Sequence, residues 1–358
     1  MSNRDDSSCP WVDVDLSALV ANAKTVATVS RARLLPMVKA DAYGLGAVPV
    51  ARALETIAPW GYGVATAREG ESLRAAGISR PIVVFTPPRP AEFARLLAAD
   101  LRPAIGDLER LRAWLGAGSR PFHLEIDTGM ARAGIRWHDA AALTEARRLL
   151  EGASGFEGIF THFHSAESDV PTAEQWERFV GILDSLSERP PLVHAANSAA
   201  ALRGTGYAAD LVRPGIFLYG GYPGPPSPLA VAVLRAPVVA RRRVRAGDTV
   251  SYGAVWRAER ETEVLTLGIG YADGLPRALT NRGCVEIGGE IVPIVGRVTM
   301  DMTMIAVSGA AAESLVVTVY GGRTSLVSQA AAAGLVPYEL LTGLGSRVER
   351  RYREESAT

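Results

Sequence analysis

From Trp11 to about Tyr222 the chain repeats one pattern: a short apolar run, a turn, then a helix-like stretch. The apolar runs fall at 34–38, 62–65, 82–85, 103–105, 123–127, 158–161, 192–195 and 211–212, with helical spacing between them, as at 67–76 and 172–187. Each run is too short to span a domain alone and too apolar to face water, so the runs must pair with one another. Roughly eight strand–helix alternations predict a parallel (β/α)8 TIM-type barrel. A doubly wound open sheet is the alternative, but no Gly-x-Gly-x-x-Gly opens the first unit.

The stretch 220–228, Gly-Gly-Tyr-Pro-Gly-Pro-Pro-Ser-Pro, breaks the rhythm and reads as a linker. Beyond it the texture is β-rich, with strands expected at 231–239, 263–269, 285–287, 291–295, 304–307 and 315–320. Gly288-Gly289 reads as a hairpin turn, and 328–334 as one helical stretch. Two domains are therefore expected, 1–227 as the barrel and 228–358 as a smaller, mostly antiparallel β domain. The 38 basic and 38 acidic side chains cancel, which argues against a nucleic acid or membrane surface as partner. The polar start Met1–Pro10 is unlike a secretory signal, and no apolar run reaches the roughly 20 residues of a membrane span. Cys9 and Cys284 are the only cysteines, so neither a disulfide framework nor a cysteine metal cluster is expected. A cytoplasmic protein without a metal fits.

In a parallel barrel the chemistry collects on loops at the C-terminal strand ends. Val38-Lys39-Ala40-Asp41-Ala42-Tyr43-Gly44-Leu45-Gly46 sets a lysine at such an end. Taken alone, it reads as a solvated terminus; held in a dry place, its amine would lose pKa and become a nucleophile. Other strand ends carry Thr128-Gly129-Met130-Ala131-Arg132, His162-Phe163-His164, Ala196-Asn197-Ser198 and Arg213-Pro214-Gly215-Ile216. Five such loops in register point to one site.

These motifs, with 194–198, 212–219, Ser251-Tyr252-Gly253, 270–274, 295–302 and 341–352, resemble the alanine racemase family, in order and nearly end to end. The resemblance implies a pyridoxal 5'-phosphate (PLP) enzyme that interconverts L- and D-alanine and supplies D-alanine for peptidoglycan. It implies that Lys39 holds PLP through a Schiff base and serves as one of two bases, with Tyr252 opposite. Racemisation needs two faces, because the proton leaves one side of a planar carbon and returns on the other. A tyrosine has an ordinary pKa of about 10 and needs a cation nearby to act as a base. By resemblance, His162 links Tyr252 to Arg213. Arg213 would lie against the pyridine nitrogen, which keeps that nitrogen unprotonated and disfavours side reactions such as transamination. A barrel-end arginine bound to a phosphate or carboxylate is the other reading of Arg213.

By the same resemblance Tyr43, Ser198, Tyr338 and the amides of Gly215 and Ile216 hold the phosphate, and Arg132 and Met300 bind the substrate carboxylate. Tyr271 stands at an inner gate, and Glu167, Arg277, Arg297 and Asp301 at polar positions toward the entrance. In this family Tyr252, Tyr271 and Met300 come from a partner subunit, which implies a homodimer with composite sites.

Glu125 departs from the family, where many members carry a carbamylated lysine. Period two sets His123, Glu125 and Asp127 on the barrel-interior face, with Leu124 and Ile126 toward the helices. Glu125 is therefore expected to orient Arg132 without carbamylation. Leu45, Asp41 and Thr299 also differ from common family residues and read as tuning. His164 reads as exposed or supporting, Asp127 and His194 as orienting groups. A barrel-type amino-acid decarboxylase, a PLP carrier and a racemase of serine or a broader set are the competing functions. The first pairs the ring nitrogen with a carboxylate, and the second lacks the domain bearing Tyr252.

Overall fold

The structure, a computed structural model, describes residues 9–118, 120–308 and 313–353. The reading of Met1–Ser8 as unlike a leader lies outside these residues. The chain forms two compact units. One comprises Val20–Ala42 and Ala47–Phe217, and the other Tyr43–Gly46, the chain from Leu218 onward and its start up to Leu19.

In the first unit eight strands are hydrogen-bonded side by side, all parallel. They are Arg33–Leu34, Tyr62–Val64, Ile82–Val84, Arg102–Ile105, Phe122–Asp127, Phe156–Phe160, Leu192–His194 and Leu211–Val212. Leu211–Val212 pairs with Arg33–Leu34, so the last strand lies beside the first. The chain then continues past Leu34 to bridge the second strand at Met37 and Gly63, where the Val38 amide donates to the Gly63 carbonyl at 2.9 Å. That bridge closes the barrel, as the alternation predicted. Helices start where acceptor side chains meet their free amides: Asp107 caps Leu108–Gly116, Asp139 caps Ala140–Leu150, and Thr66 forms a capping box with Glu69 on Ala67–Ala75.

The second unit is a mostly antiparallel sheet built on the long strand Ala232–Val244, which pairs with Thr262–Leu267 and Val316–Tyr320. Cys284–Ile287 and Glu290–Pro293 form a hairpin through Gly288 and Gly289, whose φ values of 56° and 81° require the freedom of glycine. The expected helix is Leu326–Ala333, and a second one, Pro337–Thr342, was not anticipated.

The N-terminal strand departs from the expected division. Trp11–Asp15 pairs antiparallel with Ala232–Val244 and parallel with the final strand Glu349–Arg353, so it belongs to the second sheet. Val12 and Val14 are fully buried there, and the buried Asp13 carboxylate accepts from Arg235 Nε at 2.7 Å and pairs with Arg353 at 3.0 Å. Asp13→Ala removes the acceptor that fastens three strands. It should lower the unfolding free energy by about 2 kcal/mol and speed amide hydrogen exchange along Ala232–Val244, read by urea titration and exchange.

Candidate active site

Lys39 follows directly on the bridge by which the first barrel segment meets the second at Met37 and Val38, and the chain then makes a turn of the wrong hand for L-residues. Ala40, Asp41, Ala42 and Tyr43 all have φ between 52° and 58°. Left-handed helical geometry costs on the order of 1–2 kcal/mol per residue, so something must hold it. Glu69 does so from the neighbouring helix: Oε1 accepts from the Ala40 amide at 2.9 Å, while Oε2 accepts from the Ala65 and Thr66 amides at 2.7 and 3.1 Å. Asp41 Oδ1 adds a bond from the Ala47 amide at 2.7 Å. The Lys39 side chain reaches solvent, yet the surrounding protein, then Arg132, lowers its amine below the usual lysine range; Glu69 opposes this and Arg213 reinforces it.

Arg213 follows the last strand and is buried, 4% exposed. Its Nη2 donates to the Thr161 and Ala195 carbonyls at 2.8 and 3.0 Å and shares one of its two hydrogens with His162 Nδ1 at 3.2 Å, and Nη1 donates to His194 Nδ1 at 2.6 Å. None of these four bonds uses Nε. Burial, opposed by Glu125 and reinforced by Arg132, pulls the guanidinium down to about 9, which leaves it charged at neutral pH. The same burial, with Arg213, Arg132 and Lys39 adding repulsion, pulls His162 down to about 3, so its ring is neutral. An arginine only donates, so His162 Nδ1 accepts and its proton sits on Nε2.

Glu125 is buried, 6% exposed, and its Oε2 has no hydrogen-bond partner. Burial raises its carboxyl to about 7, against the pull of Arg132 and Arg213. No hydrogen bond joins Glu125 to Arg132, so the coupling between them acts through space. Asp127 shapes the loop that carries Arg132: its Oδ1 accepts from the Gly129 and Ala131 amides at 3.0 Å each. Gln175 ties that loop to the next, donating to Thr128 Oγ1 and the His162 carbonyl at 3.1 Å each and accepting from the His164 amide at 2.9 Å. Ser198 opens the short helix Ser198–Leu202, and its buried Oγ accepts from the Gly215 and Phe217 amides at 2.9 and 3.3 Å. His164 is exposed and bonded to Ser165.

The second unit carries the remaining candidates. Tyr252 is 75% exposed on a loop with positive φ at Ser251, Gly253 and Ala254. It lines one depression with Tyr271, Arg277, Arg297, Met300 and Asp301. The Tyr271 and Ala272 amides donate to the Thr299 and Met300 carbonyls at 2.9 and 3.0 Å, an approach that only a glycine at 270 permits, since a Cβ there would lie 2.3 Å from the Met300 oxygen. Arg347 braces the same loops by pairing with Asp273 and Asp301, each at 2.9 Å. Apart from these, Tyr43 stacks on Tyr219 at 4.5 Å between ring centroids and meets Tyr338 at 5.8 Å. Burial raises the Tyr43 hydroxyl well above the ordinary tyrosine range.

Residues 14–223 match the family Alanine racemase, N-terminal domain, and residues 231–352 match Alanine racemase, C-terminal domain. The chain belongs to the alanine racemase family. The alanine racemase of Deinococcus radiodurans is 41% identical over 94% of this chain and 97% of its own length. That of Acidiphilium cryptum is 38% identical over 95% of this chain and 98% of its own length. Among solved structures, Streptomyces coelicolor alanine racemase aligns with a TM-score of 0.91 at 30% identity, covering 99% of this chain and 100% of its own. Bartonella henselae alanine racemase, solved with covalently bound pyridoxal phosphate, aligns at 0.89 and 29% identity, covering 97% and 100%.

The donor set suits the cofactor of an alanine racemase. The barrel mouth offers a lysine of lowered pKa, a buried guanidinium with Nε unused by protein, and a serine hydroxyl among amides at a helix start. Among the described residues no group of His, Cys, Asp or Glu could hold a metal, and no helix is long and apolar enough to cross a membrane. Glu69 and Gln175 escaped the sequence reading. Glu69 shows in sequence only as the Thr-x-x-Glu capping box, and Gln175 carries no signal at all. Glu69→Ala should free the Ala40 amide and relax the left-handed turn. Unfolding free energy should fall by about 1–3 kcal/mol, and more PLP should be needed to saturate the lysine–PLP absorbance in a titration.

Proposed function

We propose that this alanine racemase interconverts L- and D-alanine with two bases, Lys39 and Tyr252, in composite sites of a homodimer. The observation that carries the reading is the chemical division between the units: one holds the amine, Arg132 and the buried Arg213 guanidinium, the other an exposed tyrosine. When bound through Lys39, PLP stabilises the carbanion left by loss of the substrate α-proton. Ser198, Tyr43, Tyr338 and the Gly215 and Ile216 amides hold the phosphate, and Arg213 donates to the pyridine nitrogen. The lowered Lys39 amine takes or returns the proton at one face. At the other face Tyr252 does so from the partner subunit, its phenol oxygen accepting from His162 Nε2–H. Arg132 and the Met300 amide bind the substrate carboxylate, and Tyr271 closes the inner gate. A decarboxylase is disfavoured because a buried guanidinium, not a carboxylate, belongs to the ring nitrogen.

In this reading residues 1–227, apart from the strand at 11–15, hold the cofactor and 228–358 contribute Tyr252. The enzyme works in the cytoplasm and supplies D-alanine for peptidoglycan. Chain mixing tests the composite site. Lys39→Ala and Tyr252→Phe homodimers should each be nearly inactive, and exchange between them should restore about a quarter of the wild-type rate, because about half the dimers are mixed and each holds one intact site. No recovery after demonstrated exchange would place both bases in one chain.

Glu125 adds a pH signature. Its carboxyl, raised to about 7 by burial, is neutral below that pH and anionic above it. If the anion orients Arg132, the KM for alanine should fall as pH rises through about 7 in the wild type. Glu125→Gln should lose this step and keep the low-pH KM throughout, read from initial rates across the range.

A further inference from the structure

One chain of polar contacts in the barrel interior is not used by the chemistry above. Glu157 lies near the start of the strand Phe156–Phe160 and Arg213 after the end of Leu211–Val212, so they mark opposite ends of the barrel. Glu157 Oε2 meets His123 Nε2 at 3.2 Å, His123 Nδ1 meets His194 Nε2 at 2.7 Å, and His194 Nδ1 meets Arg213 Nη1 at 2.6 Å. Trp60, beside a strand far round the barrel, packs on His123 at 5.7 Å between ring centroids, which puts the chain inside the barrel. Phe160 stacks on His194 at 4.9 Å, and Arg213 lies over the Phe160 and Phe85 rings at 5.2 and 5.7 Å. The links are walled by aromatic rings rather than water.

We propose that Glu157 is a positioning residue for Arg213, acting through His123 and His194 by fixing the proton on each ring. Arg213 can only donate, so His194 Nδ1 accepts. Burial lowers the pKa of both histidines, so each is neutral and carries one ring proton. The His194 proton is therefore on Nε2 and is donated to His123 Nδ1. That leaves the His123 proton on Nε2, donated to Glu157. Every link points toward the carboxylate, which also accepts from Arg102 Nε at 2.7 Å and is held by it at the barrel floor. Without this terminal acceptor His123 loses the reason to carry its proton on Nε2. With the proton on Nδ1, it would face the Nε2–H of His194, and the pair would have to break. His194 would then no longer hold the guanidinium plane that meets the cofactor ring.

The inference rests on the role given to Arg213, and the experiment separates the two. Holoenzyme labelled with 15N-histidine holds five histidines, few enough to assign their ring nitrogens by long-range proton–nitrogen NMR. The wild type should show His123 and His194 as Nε2–H tautomers. Glu157→Leu should lose that pattern and lower kcat on the order of tenfold, the worth of about one hydrogen bond, with the KM for alanine nearly unchanged. Glu157→Gln keeps an acceptor oxygen and should restore both. Gly158→Ala tests the same link with the carboxylate intact, because a Cβ there would lie 2.6 Å from His123 Nδ1 and displace the ring. It carries the test if Glu157→Leu fails to fold. Wild-type tautomers in Glu157→Leu, or a Gln variant as impaired as the Leu variant, would overturn the relay. Altered tautomers with unchanged kcat would instead overturn the need for a fixed Arg213 in turnover.

Discussion

The barrel mouth is organised around one buried positive charge. A guanidinium taken out of water loses solvation that hydrogen bonds must replace, and a buried cation without acceptors would be driven to the surface. Arg213 finds its acceptors in the Thr161 and Ala195 carbonyls and in two imidazoles. Those groups sit at or just past the ends of two other strands, so solvating the charge also fixes the relative position of three strand ends. The imidazoles can serve only while neutral, and the burial that makes the charge costly keeps them so. Charge, tautomer and strand register are therefore one constraint.

The turn after Lys39 shows the opposite economy. Four successive left-handed residues, none of them glycine, are strain placed beside the reactive amine. Glu69 offsets it with carboxylate bonds to three amides, one on the turn and two at its own helix start. A carboxylate already ordered as a helix cap loses little further entropy by accepting the Ala40 amide, so the brace is stronger than a lone surface glutamate would be. Gly44, just beyond, lets the Leu341 carbonyl approach to a point that a Cβ would occupy at 2.5 Å, and Arg350 Nε donates to the Gly44 carbonyl at 3.0 Å.

Much of this was legible in the chain because it depends on local pattern. Each barrel strand is a short apolar run between turn signals; seven of the eight runs became strands within one or two residues of the expected span, and the run at 34–38 is a strand only at Arg33–Leu34, its remainder joining the barrel through the single bridge at Met37. That several strand-end side chains meet was legible for a related reason: in a barrel, position at a strand end brings residues together, as it does Arg213, His162 and His194. What was not legible depends on distant partners. The run at 11–15 reads like any other strand, and its pairing with residues some 220 positions away follows from Asp13 needing Arg235 and Arg353. Glu69 and Gln175 occupy ordinary helix positions, and only the fold shows which amides they meet. The hand of the turn at 40–43 was hidden too, since Ala-Asp-Ala-Tyr contains no glycine.

The two units also differ in how complete they are. At the barrel mouth Asp127, Ser198 and most of the Arg213 guanidinium are engaged by protein partners, while the Lys39 amine, Glu125 Oε2 and the Nε of Arg213 are left to meet a ligand. The second unit instead leaves Tyr252, Tyr271, Met300 and Met302 between 45% and 75% exposed, close together on loops fastened by Arg347 and by the glycine at 270. Rigid loops that hold apolar and aromatic side chains in water gain nothing for the fold that bears them. Their rigidity has a use only if another surface covers them, and on the proposed assembly that surface is the mouth of a second copy. A racemase then gains what one barrel lacks: a base on each face of the substrate, the second delivered by a subunit whose docking also excludes water from the cations that await it.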